Sequence, residues 1–392
     1  MKKVSVKELY IIFFSLCVSL LGCKDNTSGE LIEFDLEGNY PSKILDVRDV
    51  ADIEYLLLKT TDNNYLFKYI RSVGDNFVVC VNNTEQSFLF FSRETGEPAG
   101  KVSRYGNGPE EYNLASVYTY SEDKDELFVF GYNTQGIKVY GMDGTFKRQL
   151  TFRERSYPAS PESLYDYDED NLLLYDTFQG EVNDYSTAFI LMSKKDGHTT
   201  EEILIPRREK LDLAVRPEPN SPVARRPTSY SVVRNGTDFL ITDYSTDTVY
   251  RFTPERILIP VLVRKPSIHS TGTKTVLNSW LETDNYLFFS TQKMEFDWNT
   301  MKGLPEKCYL MEKRSGRFFN ARVSMNDYRG KELILGPPVL SKTTDSQTGL
   351  ILLPASELSG AAKDCKLSGK LKEITEQIAE DDEFVLMILK FR

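Results

Sequence analysis

The sequence predicts an all-β fold: a six-bladed β-propeller with four-stranded antiparallel blades, a short C-terminal helix and a closing strand. Three observations carry this expectation. Short segments rich in Val, Ile, Leu, Phe and Tyr recur along the 392 residues. They come in pairs, and the pairs end in tight turns at a nearly constant step. That step is 48 residues from Gly96 to Gly144 and 53 from Gly144 to Gly197, and the 119 residues from Gly197 to Gly316 make two more. A period of roughly 50 residues with four strands per unit is the pattern of a propeller blade.

The first strands of the pairs read "NFVVCVN" at 76, "ELFVFGYN" at 126, "NLLLYDT" at 171, "DFLITDYS" at 238 and "NYLFFSTQ" at 285. Their partners are "SFLFFSRETGEP", "GIKVYGMDGTFK", "AFILMSKKDGHT", "DTVYRFTPERIL" and "CYLMEKRSGRFF". Four of the five turns place glycine where a tight hairpin needs positive φ, and the fifth uses Pro254 and Glu255. A sixth unit is expected from "GLILLPAS" at 349 with "PPVLSKTTD" upstream of it. In the tail, Leu371, Ile374, Ile378 and Ala379 recur at helical spacing, and "FVLMILKF" reads as a buried strand that closes the ring and removes sheet edges.

The N-terminus has a different character. Lys2, Lys3 and Lys7 precede an apolar run from Leu9 to Gly22, the layout of a secretory signal. The run falls short of the roughly 20 apolar residues that span a bilayer. Leu20-Leu21-Gly22-Cys23 resembles the lipobox of bacterial lipoproteins, which implies cleavage after residue 22, acylation of Cys23 and attachment to a membrane through the lipid. Lys24-Asp25-Asn26 partly resembles the export signal of surface lipoproteins in Bacteroidetes. The resulting division is a signal peptide over 1–22, a lipidated N-terminus and tether over 23–40, and a propeller over 41–392.

Removing residues 1–22 takes away three lysines and one glutamate, leaving 45 basic and 57 acidic side chains, net −12. Such a surface is unsuited to nucleic acid. Cys80, Cys308 and Cys365 are too few for a disulfide framework, although one bridge among them is compatible with an oxidising compartment.

The chemistry-bearing residues are sparse. Of two histidines, His198 sits in a turn, and His269 in "KPSIHSTG" is the one placed to act as a base. The sequence has no G-x-S-x-G elbow, H-E-x-x-H helix or Cys-x-x-Cys pair, so no metal and no cofactor are expected. Asp166, Asp168 and Asp170 in "DYDED" have alternate spacing, but Asn171 stands where a calcium loop needs glycine. These carboxylates are therefore expected in a solvated loop.

Two stretches are candidate ligand sites. "GKVSRYGNGPEEYN" at 100–113 is expected to cross from one blade to the next, its glycines and proline serving the turn. That leaves Arg104, Glu110, Glu111 and Tyr112 as candidates. The segment 205–230 is a long insertion carrying Arg207, Arg208, Lys210, Arg216, Arg225 and Arg226. Long loops often carry function. Arg207, Arg208, Arg225 and Arg226 are expected either to hold an anionic partner or to pair with the acidic surface around them.

The lipobox, "GxGPxEY", the turn in "VYGMDGTF", "DTVYRF" and the ending "VLMILKF" together resemble the six-bladed, NHL-like β-propeller lipoproteins common in Bacteroidetes. The resemblance implies a monomeric propeller on the outer membrane, facing the surface or the periplasm, and transfers no catalytic residue. Three classes of function follow: a binding or scaffolding protein for a glycan, peptide or protein; a hydrolase or lyase acting at the central channel; and a sensory partner of a membrane protein. The missing nucleophile and metal motifs favour the first.

Overall fold

The computed structural model describes residues 31–60, 65–131, 136–152, 161–176, 189–206, 209–227, 231–270, 272–333, 348–379 and 382–392. The chain begins with β1 (Ile32–Asp35), β2 (Ser42–Asp46) and β3 (Ala51–Leu58). Five four-stranded antiparallel blades follow in sequence order. Blade 1 is β4 (Tyr69–Val73), β5 (Phe77–Asn82), β6 (Ser87–Ser92) and β7 (Pro98–Val102). Blade 2 is β8 (Ala115–Ser121), β9 (Glu126–Gly131), β10 (Gly136–Tyr140) and β11 (Phe146–Thr151). Blade 3 is β12 (Pro161–Asp166), β13 (Asn171–Asp176), β14 (Phe189–Ser193) and β15 (Thr199–Ile203). Blade 4 is β16 (Val232–Asn235), β17 (Asp238–Ile241), β18 (Thr248–Phe252) and β19 (Leu258–Lys265). Blade 5 runs β20 (Thr275–Glu282), β21 (Tyr286–Lys293), β24 (Glu306–Glu312) and β25 (Arg317–Ser324); β22 (Phe296–Asp297) and β23 (Lys302–Gly303) form a small hairpin within it, and β26 (Glu332–Leu333) flanks β25.

The sixth sheet differs. It has three strands, β27 (Thr348–Pro354), β28 (Phe384–Phe391) and β3, with β28 in the middle and antiparallel to both neighbours. The expectation of six four-stranded blades is corrected to five, because "PPVLSKTTD", the expected further strand, falls in 334–347, outside the described residues. The closing role of "FVLMILKF" is seen directly: β28 joins the two ends of the chain in one sheet.

Six apolar seams hold the sheets in cyclic order. Phe90 and Tyr120 meet between blades 1 and 2, Phe130 and Leu172 between 2 and 3, Tyr175 and Phe239 between 3 and 4, and Leu262 and Phe289 between 4 and 5. The three-stranded sheet packs on blade 5 through Met387 and Phe288, and on blade 1 through Leu386 and Phe91. Each buried side chain of this size contributes about 1.5–3 kcal/mol. Because both faces of a blade are covered, middle strands such as β9 and β10 are buried at every position and read as continuous apolar runs. Outer strands such as β11 and β15 alternate instead, presenting charge along the sheet edge.

The hairpin glycines behave as predicted, with positive φ at Gly96, Gly144, Gly197 and Gly316. In the fifth hairpin Arg256 takes the left-handed conformation, at φ 63°. Two of these glycines also seat one blade on the last strand of the sheet before it. A Cβ on Gly96 would lie 1.9 Å from the Leu57 carbonyl oxygen, and one on Gly197 would lie 2.7 Å from the Thr151 nitrogen.

The tether expected over 23–40 is corrected at its C-terminal end. β1 adds to the edge of blade 4 in parallel with β19, and β2 adds likewise to β25. Phe34 is fully buried, its ring 4.7 Å from that of Phe289 and 4.8 Å from that of Tyr309. Thus 32–58 lace blade 4, blade 5 and the closing sheet together. Helices are few. The predicted one is Gly369–Thr375, shorter than the spacing of Ile378 suggested, and Ala355–Lys363 forms another that the sequence reading did not anticipate. No described helix is long and apolar enough to cross a membrane. Cys80, Cys308 and Cys365 form no disulfide with one another, and Cys23 with its lipobox lies outside the described residues.

Candidate functional site

Inner strands β4, β8 and β12 lie against one another in turn, as do β16 and β20. In an up-and-down blade the turns after the first and third strands lie at one end of the ring, and the crossings between blades lie at the other. Main-chain bonds between the two kinds of turn confirm this: Arg93 N donates to Asn76 O, and Lys194 N to Asp170 O.

The stretch 103–112 is a crossing, as expected, running from β7 to β8. It folds around a residue the sequence reading missed. Lys138, only 6 % exposed on β10, donates to the carbonyl oxygens of Gly108 (3.3 Å), Pro109 (3.0 Å) and Glu111. Tyr140 Oη donates to Glu110 O at 2.8 Å. The Glu111 carboxylate accepts from Gly108 N at 2.8 Å, and Arg104 Nε donates to Gly144 O at 2.8 Å. Tyr112 is fully buried, its hydroxyl 2.6 Å from Gln86 O. Arg104 and Glu111 therefore hold the loop, Tyr112 belongs to the core and offers no surface to a ligand, and the Glu110 side chain is exposed. The one available clue was a lysine inside the otherwise apolar strand "GIKVY".

The basic insertion is similarly committed. Arg207 and Arg208 lie outside the described residues. Lys210 pairs with Asp243 at 3.0 Å, and that carboxylate, 1 % exposed, also accepts from Tyr175 Oη (2.8 Å) and Ser245 N (2.7 Å). Burial alone would raise the Asp243 pKa, but the Lys210 charge and these hydrogen bonds outweigh it and lower the value. Asp212 takes Arg216 at 2.8 Å and Arg226 at 3.4 Å. The Arg225 guanidinium lies over Phe296 and Trp298, 5.4 and 5.9 Å from the ring centroids. Leu213 packs with Ile268, Val276 and Met294 beneath the segment. Of the residues at issue, Arg226 pairs with an acid, Asp212, whereas Arg225 rests on aromatic rings.

Of the histidines, His198 is exposed and bonded to Asp196 at 2.7 Å. His269 holds Nε2 at 2.9 Å from the Ser245 carbonyl, so that nitrogen donates, while Nδ1 is buried 3.7 Å from Glu209.

A wide opening lies at the other end of the ring, on the side of the inner hairpins. It is a cavity of about 800 Å³ framed by the turns of four consecutive blades, with Asp75, Asp123, Glu169 and Thr237 among its lining residues. Some of its carboxylates brace the turns. Glu122 accepts from Asn76 N and Phe77 N at 3.0 Å each, so blade 2 caps the turn of blade 1. Asp168 accepts from Asp170 N (2.8 Å) and Asn171 N (2.7 Å), and Asp166 pairs with buried Lys194. The "DYDED" stretch is the solvated loop expected, between β12 and β13 with Asp168, Glu169 and Asp170 exposed, and Asp166, Asp168 and Glu169 also edge the cavity. Among the described residues, no group of three or more His, Cys, Asp or Glu could hold a metal ion.

Below the rim the wall turns basic. Arg234 on β16 lines the cavity and donates Nη2 to Asp166 O. Arg71 on β4 donates Nε to Tyr118 O at 3.1 Å, its Cζ 4.8 Å from the Tyr118 ring centroid. Tyr165 on β12 donates to Val232 O at 2.8 Å. Burial raises the Tyr165 pKa, and the charges of Arg71 and Arg234 act on it in the opposite sense.

Carboxylates with divergent pKa values, the mark expected of an enzyme, occur elsewhere, at the seam of blades 4 and 5. Burial raises Asp238; Glu282, also buried, is lowered by hydrogen bonds from Arg251 and Lys313. Arg251 reaches both acids, with Asp238 at 3.5 Å, and Lys313 lies 2.8 Å from Glu282. Two cations against two acids make a balanced inter-blade clamp.

Two solved structures share this fold. One is a Bacteroides fragilis protein described as exported, 14 % identical, with a TM-score of 0.59, covering 92 % of this chain and 99 % of its own. The other is a Bacteroides vulgatus member of the DUF4221 family, 10 % identical, with a TM-score of 0.51, covering 88 % and 97 % respectively. Both come from Bacteroides, within the group to which the sequence resemblance pointed. Among curated proteins no match is found. From residue 31 to 390 the sequence fits one family pattern, and the chain belongs to the family described as Domain of unknown function (DUF4934).

Proposed function

We propose that this protein is an envelope lipoprotein, exported and held on the outer membrane through acylated Cys23, whose propeller binds a ligand at the mouth formed by its inner hairpins. The observation that carries this reading is the cavity of about 800 Å³ framed by four consecutive blades, a volume that suits a small ligand. The closing three-stranded sheet counts as a sixth blade in this reading, in keeping with an NHL-like ring. The protein acts as a monomer, without nucleic acid, and binds rather than catalyses. The mouth replaces the crossing at 100–113 and the insertion at 205–230 as the ligand site, because Arg104, Glu111, Tyr112, Lys210, Arg216 and Arg226 are bonded within the fold.

The test is a thermal-shift screen of the full-length chain in detergent against neutral sugars, peptides and small anions, repeated with Thr237→Trp. Thr237 is exposed at the rim, so tryptophan there obstructs the mouth while leaving the blades intact. A ligand-dependent rise in Tm that the substitution removes supports the reading. A rise that survives it places the site elsewhere.

A further inference from the structure

Most buried or half-buried cations of this acidic protein face a carboxylate. Lys194 has Asp166, Lys210 has Asp243, Arg93 has Glu54, Arg148 has Glu126 and Arg251 has Glu282. Lys138 has three carbonyl oxygens instead. Arg71 and Arg234 differ from both kinds: among the described residues neither forms a salt bridge, each makes one hydrogen bond, to a main-chain carbonyl, and each lies over one ring, Tyr118 and Phe239 respectively. A guanidinium stays charged under all ordinary conditions, and burying it without a counter-charge is costly. Burial lowers the Arg234 pKa, with Asp166 only partly offsetting it.

The two arginines stand on inner strands of blades 1 and 4, with Tyr118 and Tyr165 on the inner strands of blades 2 and 3 between them in chain order. Among the described residues, no hydrogen bond is made by Nη1 or Nη2 of Arg71, by Nε or Nη1 of Arg234, or by the Tyr118 hydroxyl. Planar forks of N–H donors with an added hydroxyl match the geometry of carboxylate, sulfate or phosphate. We infer that Arg71, Arg234 and Tyr118 form an anion-recognition site in the channel wall, which holds the single oxyanion of a small, otherwise polar ligand entering through the hairpin mouth. The entry route rests on the function proposed above; the anion site does not.

The rim limits which anions fit. Asp75, Asp123 and Glu169 at the entrance repel polyanions, so the preferred ligand carries one acidic group on a neutral body, as an acidic or sulfated sugar does. Lys194 and Asp166, paired with each other, contribute no net charge at the wall.

The experiment is isothermal titration of the full-length chain in detergent with sodium sulfate, inorganic phosphate and glucuronate, each at constant ionic strength. Wild type is expected to bind at least one of the three. Arg71→Gln and Arg234→Gln should each weaken binding tenfold or more, Tyr118→Phe should weaken it less, and Arg71→Lys should recover part of the loss. Circular dichroism and Tm show that each variant is folded. The three probes separate the source of the charge. No binding of any probe by folded wild type overturns the inference, as does binding that both glutamine variants retain. Binding of only a neutral sugar, blocked by Thr237→Trp, leaves the mouth in place and removes the anion site. Anion binding lost in the glutamine variants but unchanged by Thr237→Trp keeps the anion site and removes the mouth.

Discussion

Two sets of basic residues invite comparison: those of the insertion at 209–227, conspicuous in the sequence, and the pair Arg71 and Arg234, which nothing in the sequence sets apart. The first set is compensated inside the fold, by Asp243 beneath Lys210, Asp212 between Arg216 and Arg226, and two aromatic rings under Arg225. The second pair has one main-chain carbonyl and one aromatic ring each, Tyr118 against Arg71 and Phe239 against Arg234, and among the described residues neither forms a salt bridge. A run of like charge is thus a poor guide to a site, because a loop can bring or find its own counter-charges. The informative quantity is charge left unpaired after folding, and only the assembled ring reveals it.

The largest expected effect lies in the committed set. Asp243→Asn leaves the Lys210 ammonium without its acid partner, and chemical denaturation should show a loss of about 3–5 kcal/mol. The linked pH dependence has a definite sign. The folded-state pKa of Asp243 is depressed, so its contribution is full above the ordinary carboxylate range and disappears as the pH falls through the depressed value. Denaturation midpoints of wild type should fall more steeply on acidification below about pH 4 than those of Asp243→Asn.

Next come the seams that hold the ring against which both sets are judged. Gly197→Ala forces a Cβ to within 2.7 Å of Thr151 N at φ +87°, whereas Gly316→Ala at φ +66° meets nothing within 4 Å. Thermal unfolding should show about 2–4 kcal/mol lost at Gly197 and about 1 kcal/mol at Gly316. Equal losses would mean that the contact between blade 3 and the end of β11 is unimportant.

The smallest effects separate the two basic sets most sharply. Arg225→Ala should cost about 0.5–1 kcal/mol through its lost ring contacts, and Arg216→Ala about 0.2–1 kcal/mol, as exposed ion pairs do. Arg71→Gln should stay within about 1 kcal/mol of wild type, since it gives up a cation–π contact along with an uncompensated charge. A loss of several kcal/mol in Arg71→Gln would show that Arg71 belongs with the committed residues.

The architecture was readable because its signals are local. Continuous apolar runs mark blade strands covered on both faces, and a positive φ marks Gly96, Gly144, Gly197 and Gly316 as hairpin turns. The segment around Phe34 escaped notice because four residues of parallel edge strand are too short for a visible period, and their partner β19 lies far along the chain. The candidate site was less readable for the same reason. Arg104, Glu111 and Tyr112 sit where the turn chemistry put them, yet their partners Gly144, Gly108 and Gln86 show that they support the crossing. Arg71, Tyr118, Tyr165 and Arg234 come from four different blades, so no sequence window contains them together.

The measurement that bears most directly on the comparison is the Tm change produced by sulfate and by glucuronate at constant ionic strength. It is to be made on wild type, on Arg71→Gln with Arg234→Gln, and on Arg216→Gln with Arg226→Gln. Loss of the anion-dependent rise in the channel variant, with the rise intact in the insertion variant, is the predicted result. The reverse pattern, with the rise lost only when Arg216 and Arg226 are changed, would contradict it.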